Sequence, residues 1–478
     1  MLLELNSRAD ITLELYERVA WHGHGVRFGP RAVQHMTECR NEFLDLLDND
    51  PSVTIYGVTT GYGHQANLRL EGEARRIHAR MPPRACVAAF GRPVPGRLAR
   101  GVVLARLANF IEGHAAVTPA LAAEVAALLS RGPLPELPLS GQGGAGEVLW
   151  AGPLFLELAE GFPLGEKDAL SLVNGSPAAS AMIADAALAM RRRLDLAERV
   201  FALSVEAIKA PLEAYDAVFE SLWGDPHEAD ALRRLRFLLR DGGADRRSYQ
   251  APVSYRILPR VIGQFRRVIA QAEEIAESSL QSVTDNPLFL RPDTEHPHGR
   301  VCSNGGYHNA RAYPALDNLA AACVDLCILA ERQTTKLLDG RYSLLPDQLQ
   351  RGDGHIGILG FVQVGYAEEA RRLAQRTFLP GSEAGGFGQN DVGALTGLAW
   401  QSQEEVGRCL DAALTMLAAI ASQALYVTER AAPPELAETL AAVRDHFPPV
   451  TQSQTFAAQL TALVTQFRAG IYEVQESS

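Results

Sequence analysis

The sequence lacks features that would mark several large classes of protein. It has 45 Lys and Arg against 56 Asp and Glu, for a net charge of −11. A surface that follows a phosphate backbone needs clustered basic residues, so we expect no nucleic-acid partner. Six of the 478 residues are cysteine, and no two of them form a Cys-x-x-Cys pair. We therefore expect neither a disulfide framework nor a metal site.

Long uninterrupted apolar runs are also missing. The N-terminal residues include Glu4 and Asp10 and have no apolar core of the kind found in a signal peptide. The longest apolar stretches, such as residues 414–427, are broken by Ser and Gln and are too short to cross a bilayer. We expect a soluble, cytoplasmic protein with no membrane partner.

The chain does contain ample apolar material, because 47% of its residues are hydrophobic. Four segments after Pro177 have apolar residues at helical spacing: 178–210, 257–279, 314–338 (with Pro314 at its first position) and 390–431. Long helices with apolar faces pack as a bundle. Their apolar circumference also predicts burial against other copies of the chain.

The first 177 residues have a different character. Proline and glycine interrupt them often, which predicts short helices and loops, with helices near 99–112 and 119–129. Residues 130–146 are the segment richest in Gly and Pro, and we expect a loop that ends at a helix N-terminus near Glu147, where backbone N–H groups can bind an anion. The predicted domains are 1–177, mixed, and 178–478, a long-helix bundle.

Four motifs carry a resemblance to one family. They are Tyr-Gly-Val-Thr-Thr-Gly-Tyr-Gly at 56–63, Leu-Val-Asn-Gly-Ser at 172–176, Ser-Val-Thr-Asp-Asn-Pro-Leu at 282–288, and Asp-Asn-Leu at 317–319 followed by Ala-Glu-Arg at 330–332. In this order they resemble motifs of the histidine/phenylalanine (aromatic amino acid) ammonia-lyases. The resemblance implies an all-α fold with a long central bundle of the ammonia-lyase or fumarase-like type, and we expect a homotetramer.

The resemblance also implies roles for individual residues. Tyr56 matches the family's base, which removes the β-proton of the substrate, and Asn174 matches an asparagine that hydrogen-bonds near the substrate. Gln250 and Arg256 match the ends of a motif whose arginine holds the substrate carboxylate, as a bidentate guanidinium does well. Val253 stands where that motif has tyrosine, and neighbouring Tyr255 is a candidate replacement for its hydroxyl.

Other predicted site residues come from weaker matches. Tyr307 and His308 lie in a degraded form of the family's Gly-Asn-Phe-His-Gly motif and are assigned to the catalytic group. Asn390 stands in place of a glutamate near the substrate's amino group. His78 and Tyr62 complete the predicted substrate-binding set. Each histidine also has a structural reading, as a side chain that is hydrogen-bonded within the protein.

The most informative position is Ala145. Family members carry Ala-Ser-Gly here, and the serine loses water as the backbone cyclises to the electrophile 4-methylideneimidazol-5-one (MIO). This chain has Gly144, Ala145 and Gly146, and a methyl side chain has no hydroxyl to lose. We therefore expect no MIO and no other cofactor.

Three functions remain open from the sequence. The first is an MIO-independent enzyme that acts by acid/base chemistry on a carboxylate-bearing, aromatic small molecule, by elimination, isomerisation or cyclisation/condensation, in secondary metabolism. The second is a catalytically inactive homologue that serves as a binding or assembly subunit. The third is an aromatic amino acid ammonia-lyase inactivated by Ser-to-Ala at position 145. Changes at Ala145, Val253 and Asn390 together favour natural divergence over the third.

Overall fold

The computed structural model describes residues 1–381 and 388–472. Helices dominate it, and the all-α fold predicted from the sequence is confirmed. The α-helices are α1 Leu13–Tyr16, α2 Pro30–Asn49, α3 Gly72–Ala79, α4 Gly96–Ile111, α5 Pro119–Ala127, α6 Val148–Gly161, α7 Asp168–Val173, α8 Pro177–Ala207, α9 Val218–Trp223, α10 Pro226–Leu238, α11 Val253–Arg256, α12 Leu258–Leu280, α13 Ala312–Leu338, α14 Gly340–Ser343, α15 Leu359–Leu373, α16 Thr396–Val427, α17 Ala437–His446 and α18 Ala457–Tyr472.

Two short strand pairs, which the sequence reasoning missed, accompany the helices. Strands β1 (Leu2–Leu5) and β2 (Gly25–Phe28) are parallel, with Leu2 opposite Gly25. Strands β3 (Leu288–Leu290) and β4 (Arg300–Cys302) are antiparallel. With three or four residues each, they give too little alternation to be recognised from the sequence.

The long predicted helices are present, but their ends differ from the predicted ones. Helix α13 starts two residues before Pro314, so this proline is the third helical residue and lies where backbone N–H groups lack intrahelical partners anyway. Helix α8 ends at Ala207, just before Lys209 adopts a left-handed φ of 56°. Helix α16 begins at Thr396 and not at 390, because the preceding residues take part in the loop structure described below.

The chain forms two compact units. The first comprises Met1–Ala186, Ala272–Leu316 and Arg376–Gln401, and the second comprises Ala187–Gln271, Asp317–Gln375 and Ser402–Ser478. This division differs from the predicted one at residue 177, since two later segments belong to the first unit. A single cut in the sequence cannot describe units whose segments alternate along the chain.

Helix α4 lies at the centre of the first unit. Thirteen of its residues are buried, from Leu98 to Ile111, so it is apolar on nearly every side. A smaller apolar cluster forms around Phe43 and Phe289, whose rings meet edge to face with centroids 5.6 Å apart.

The second unit has a buried ion pair in its core. The guanidinium of Arg193 donates from Nε to one carboxylate oxygen of Asp411 (2.8 Å) and from Nη2 to the other (3.1 Å). Tyr472 accepts a further bond from Nη2 at 2.8 Å. Cys323 and Cys327 are fully buried, as expected for core thiols.

Two helices correct the reasoning about membrane spans. By length and composition, α13 and α16 are apolar enough to cross a bilayer, contrary to the expectation from the sequence. The most apolar windows of these helices are 67% and 94% buried within the protein. Such burial is typical of core helices in a soluble protein.

Candidate active site

The first unit contains a cavity of about 550 Å³ that collects many of the predicted site residues. Its wall includes Tyr56, Tyr62, Ala145, Asn174, Tyr307 and Asn390. These residues are up to 334 positions apart in sequence (Tyr56 to Asn390), yet they line one space. The cavity is therefore the candidate active site.

A tight turn positions Tyr56. The hydroxyl of Thr59 accepts from the backbone N–H of Ile55 (2.7 Å) and donates to the carbonyl of Val53 (2.8 Å), which pins the turn. Gly57 has φ of 70°, and a Cβ there would lie 2.8 Å from the Leu170 side chain. Glycine is required at this position for both reasons.

The phenolic oxygen of Tyr56 is held by a backbone donor. The N–H of Gly63, at the far end of the same motif, donates to it at 3.1 Å. This contact orients the oxygen. Tyr62 lines the same cavity, and burial raises the pKa of its hydroxyl, so this hydroxyl stays protonated near neutral pH.

Asn174 is held rigidly at the end of α7. Its side-chain nitrogen donates to the carbonyl of Asn286 (2.6 Å), and its side-chain oxygen accepts from the N–H of Gly175 (2.9 Å). Its own carbonyl accepts a short hydrogen bond from Arg106, which is fully buried. The amide therefore presents a fixed edge to the cavity.

The loop around Ala145 is an irregular segment with two left-handed glycines. Gly144 has φ of 90° and Gly146 has φ of 70°. The carbonyl of Gly144 accepts from the N–H of Ala394 at 2.8 Å, which fixes the stretch before α16 against this loop. That contact explains why residues predicted to be helical from 390 are not. Because the side chain between the glycines is a methyl group, the residues present do not fit MIO.

The side chain of Glu147 attaches the end of this loop to helix α8. Helix α6 begins at Val148, as predicted, but the Glu147 carboxylate lies at the start of α8, where it accepts from Ala178 (2.5 Å) and Ala179 (2.9 Å). The free N–H groups at that helix N-terminus are thus capped by a side chain of the protein itself. Burial dominates over these bonds and raises the pKa of Glu147 from 4.5 to about 8.

This raised pKa predicts a pH-dependent stability. Folded protein retains a proton on Glu147 that the unfolded chain loses near pH 4.5, so its stabilising contribution is complete below that pH and falls as the pH rises through about 8. We expect a loss of about 2 kcal/mol between pH 6 and pH 8. Thermal unfolding of Glu147→Gln should show a flatter pH dependence than wild type over this range. Glu73→Gln, at an exposed glutamate, is the control and should match wild type.

A buried ion pair, Lys167 with Asp285, lies close to the cavity wall. Lys167 forms a short, fully buried ion pair with Asp285, and its ammonium also donates to Ser171 at 3.0 Å. Asn109 supports Asp285 by accepting from its N–H at 3.0 Å. Burial lowers the pKa of Lys167. Because Asp285 precedes Asn286, whose carbonyl holds Asn174, this ion pair supports the site.

His78 and His308 lie near the cavity without lining it. The rings of His78 and Tyr62 are tilted against each other with centroids 4.7 Å apart, and burial lowers the pKa of His78. The Nε2 atom of His308 lies 3.2 Å from the carbonyl of Gly393. His308 therefore has the contact of a structural side chain, whereas the buried Nε2 atom of His78 has no hydrogen-bond partner among the described residues. The catalytic role of His308 and the substrate-binding role of His78 remain predictions.

Three predicted residues are not brought into the cavity. Gln250, Val253 and Arg256 belong to the second unit and are not among the residues that line the space. Val253 is 56% exposed, and Arg256 donates from Nε to the carbonyl of Ala251 at 3.0 Å. Tyr255 is fully buried, with its hydroxyl 3.2 Å from Ser204, so it is a core residue.

Several residues of the cavity wall were not predicted. Some are apolar, such as Leu170 and Val148, and those with hydrogen-bonding side chains are Thr54, Thr60, Asn286, Ser303, Gln389 and the thiol Cys86. Asn286 lies inside one of the family motifs, so the sequence did contain a signal for it. Among residues 1–381 and 388–472, no group of three or more His, Cys, Asp or Glu side chains is placed to hold a metal ion.

Comparison with known proteins agrees with these observations. The family described as aromatic amino acid lyase matches residues 11–163 and 156–446. Histidine ammonia-lyase from Gloeobacter violaceus is 30% identical over 356 residues, 68% of this chain and 68% of that protein. For the one from Geobacillus thermodenitrificans, identity is 30% over 322 residues, 61% of this chain and 62% of that protein's length.

A solved structure extends the similarity to nearly the whole chain. The ergothioneine degrading enzyme ergothionase from Treponema denticola, in complex with desmethyl-ergothioneine sulfonic acid, covers 99% of this chain and 100% of its own, with a TM-score of 0.89 and 18% identity. The fold is therefore that of the helical ammonia-lyase class. The chain belongs to the aromatic amino acid lyase family.

Proposed function

We propose that this protein is an enzyme that works without MIO, by acid/base chemistry, on a carboxylate-bearing aromatic small molecule. The observation that carries the proposal is one cavity whose wall includes Tyr56, Asn174 and Ala145. A tyrosine that matches the base of the family's reaction is thus present, while the residue that forms its electrophile is absent. Elimination, isomerisation and cyclisation/condensation all begin with proton removal by such a base.

The absence of MIO sets a requirement on the substrate. Removing a β-proton is slow when nothing withdraws electrons, so the substrate itself must supply a more acidic proton or a leaving group better than ammonia. The relatives named as histidine ammonia-lyases release ammonia, according to their name, and the structural neighbour degrades ergothioneine. These names support an aryl- or imidazole-bearing carboxylate as the substrate class of this chain.

We propose that Arg256 holds the substrate carboxylate, and the proposal includes assembly of several copies of the chain. Gln250 and Val253 are exposed and Arg256 is half-buried, so the three are accessible to a second copy of the chain. Large apolar side chains are also exposed, including Phe90 (85%) and Phe361 (78%). Such surfaces are typical of interfaces, and we propose a homotetramer.

The test is a turnover assay with matched pairs of compounds. Each aryl-substituted propionic acid with a leaving group on its α-carbon is compared with its primary amide, which lacks the negative charge. We expect the acids to give conjugated products, which are detected by their ultraviolet absorbance and by NMR. The amides should react at least about 100-fold more slowly, because each hydrogen bond to a charged group contributes roughly 1.5–3 kcal/mol.

Two results would contradict the proposal. Equal turnover of acids and amides would show that the enzyme does not require a carboxylate on its substrate. Binding of the acids in a melting assay without turnover of any would instead favour a binding or assembly subunit.

A further inference from the structure

A charged residue lies directly behind the uncharged wall of the cavity. Every residue of 1–381 and 388–472 that lines the cavity has a neutral side chain. Arg106 is not part of that wall, but its Nη1 atom donates to the backbone carbonyl of Asn174, which is. The guanidinium is fully buried at the centre of α4, where most neighbours on the helix are apolar. Burying a charge there is costly, so its position requires a physical reason.

The backbone next to Asn174 lets Arg106 approach closely. Gly175 has φ of 110°, and a Cβ there would lie 3.2 Å from the Nη1 atom of Arg106. Only glycine combines this conformation with room for the guanidinium. Asn109, three residues further along α4, fixes the facing segment by accepting from the N–H of Asp285 at 3.0 Å. Helix α4 therefore holds both backbone segments that adjoin this part of the wall.

A chain of hydrogen bonds leads from Arg106 to the cavity. The guanidinium donates to the Asn174 carbonyl, and the N–H of the same peptide group, that of Gly175, donates to the Asn174 side-chain oxygen at 2.9 Å. The Nδ2 atom of this side chain donates one of its two hydrogens to the Asn286 carbonyl at 2.6 Å, which leaves the other for a ligand. Hydrogen bonds in series polarise one another, so the charge of Arg106 makes this amide a stronger donor.

The positive charge of Arg106 is not cancelled by its neighbours. Burial lowers its pKa to about 10, so the guanidinium is protonated at neutral pH. Of the two acids that act on it, Asp285 is paired with Lys167, and Glu147 keeps its proton below about pH 8 because of burial. The Nε and Nη2 atoms of Arg106 have no hydrogen-bond partner among the described residues. A net positive charge therefore remains behind Asn174.

We propose that Arg106 is a positioning residue that acts through Asn174 and makes the cavity favour negative charge beside this amide. The inference rests on the proposed function for the origin of that charge. When Tyr56, as phenolate, takes a proton, the electron pair of the broken C–H bond stays on the substrate. In the family, MIO supplies the electron withdrawal. Here the fixed amide and the cation behind it stabilise the same electrons without a covalent bond to the protein.

The first experiment measures the preference for an anion without turnover. The ligand is 4-nitrophenol, because its ring fits a space of about 550 Å³ and its phenolate is distinguished from the phenol by visible absorbance. Spectra of the ligand with saturating full-length protein, recorded across pH, give the affinities of both forms. We expect wild type to bind the phenolate at least about 10-fold more tightly than the phenol, as one charge near a site of low dielectric requires. Val148→Trp, which fills the cavity, should abolish binding.

Matched variants separate charge from stability. Arg106→Met removes the charge at similar length and should lower the preference for phenolate about 10-fold, whereas Arg106→Lys retains the charge and should stay within about 3-fold of wild type. Arg40→Met is the control. Arg40 is also buried in the first unit and donates to the carbonyls of Ala116 and Glu166 at 2.6 Å each, and neither residue lines the cavity. Its loss should destabilise the protein and leave the preference unchanged. If Arg106→Met does not fold, Arg106→Gln, which retains a neutral donor, replaces it with the same expectation.

The second experiment measures turnover of the substrate that the panel of acids and amides identifies. Arg106→Met should lower kcat at least about 10-fold and leave KM within about 3-fold of wild type, because the charge that it stabilises develops only during the reaction. Arg106→Lys should restore most of kcat, and Arg40→Met should keep the wild-type value at a temperature where both proteins are folded. A purely structural role of Arg106 would not divide the variants in this way.

The outcomes separate this inference from the proposed function. The inference is wrong if wild type binds neither form of 4-nitrophenol or binds both equally. It is also wrong if Arg106→Met keeps the wild-type preference, or if Arg40→Met loses as much of it. In these cases a loss of turnover in Tyr56→Phe would leave the proposed function standing. If the preference depends on Arg106 but turnover survives Tyr56→Phe, the proposed function is wrong and the effect of Arg106 on anion binding stands.

Discussion

Tyr56→Phe is expected to lower kcat about 10²- to 10⁴-fold, the usual contribution of a positioned proton acceptor. The substitution removes one oxygen from the cavity wall and leaves the ring in place. Substrate binding should therefore stay within about 3-fold of wild type, because the lost hydroxyl accepts only from the Gly63 backbone in the described structure. Single-turnover rates and a dissociation constant from a melting assay separate the two effects.

Tyr62→Phe is the control for this experiment. Tyr62 lines the same cavity, and burial raises the pKa of its hydroxyl, which keeps it protonated and unsuited to act as a base. Its loss should reduce kcat by less than about 10-fold. If Tyr56→Phe retains the wild-type kcat, or if both substitutions reduce it equally, Tyr56 is not the base.

Lys167→Met is expected to destabilise the folded protein by roughly 3–5 kcal/mol, the usual cost of leaving one member of a buried ion pair alone. Both side chains of the Lys167–Asp285 pair are completely buried, so no water can replace the ammonium. Chemical denaturation followed by circular dichroism measures the change. Activity should fall as well, because Asp285 adjoins the residue that holds Asn174.

Lys209→Met provides the matched comparison. Lys209 forms an equally close pair with Asp245, at 2.5 Å, but Asp245 is 77% exposed and water screens the charge. We expect little measurable change in its unfolding curve. A similar loss in both variants would show that burial is not what makes the Lys167 pair important.

The sequence was sufficient for the fold because its signals were long or repeated. Helices α8, α12, α13 and α16 extend over 23 to 32 residues each, so their apolar spacing outweighs single glycines and prolines. Their ends were less well predicted. The start of α16 is set by the bond between Ala394 and Gly144, a contact between residues about 250 positions apart that no local pattern encodes.

The candidate site was predictable to the extent that motifs marked it. Tyr56, Asn174 and Tyr307 line one cavity and were all assigned from short motifs. The buried role of Glu147 was missed, because its partners Ala178 and Ala179 act through backbone N–H groups that have no sequence signature. Cys86 was missed for a related reason, since it lies in no motif and only the fold brings it to the cavity.

The central claim is that this chain acts without a cyclised electrophile, and the mass of the peptide spanning residues 139–149 tests it most directly. The peptide should come from a preparation that turns over its substrate. We predict the full mass of an ordinary peptide, because the Ala145 methyl group cannot be dehydrated. A peptide lighter by one or more water molecules in the active preparation would contradict the account.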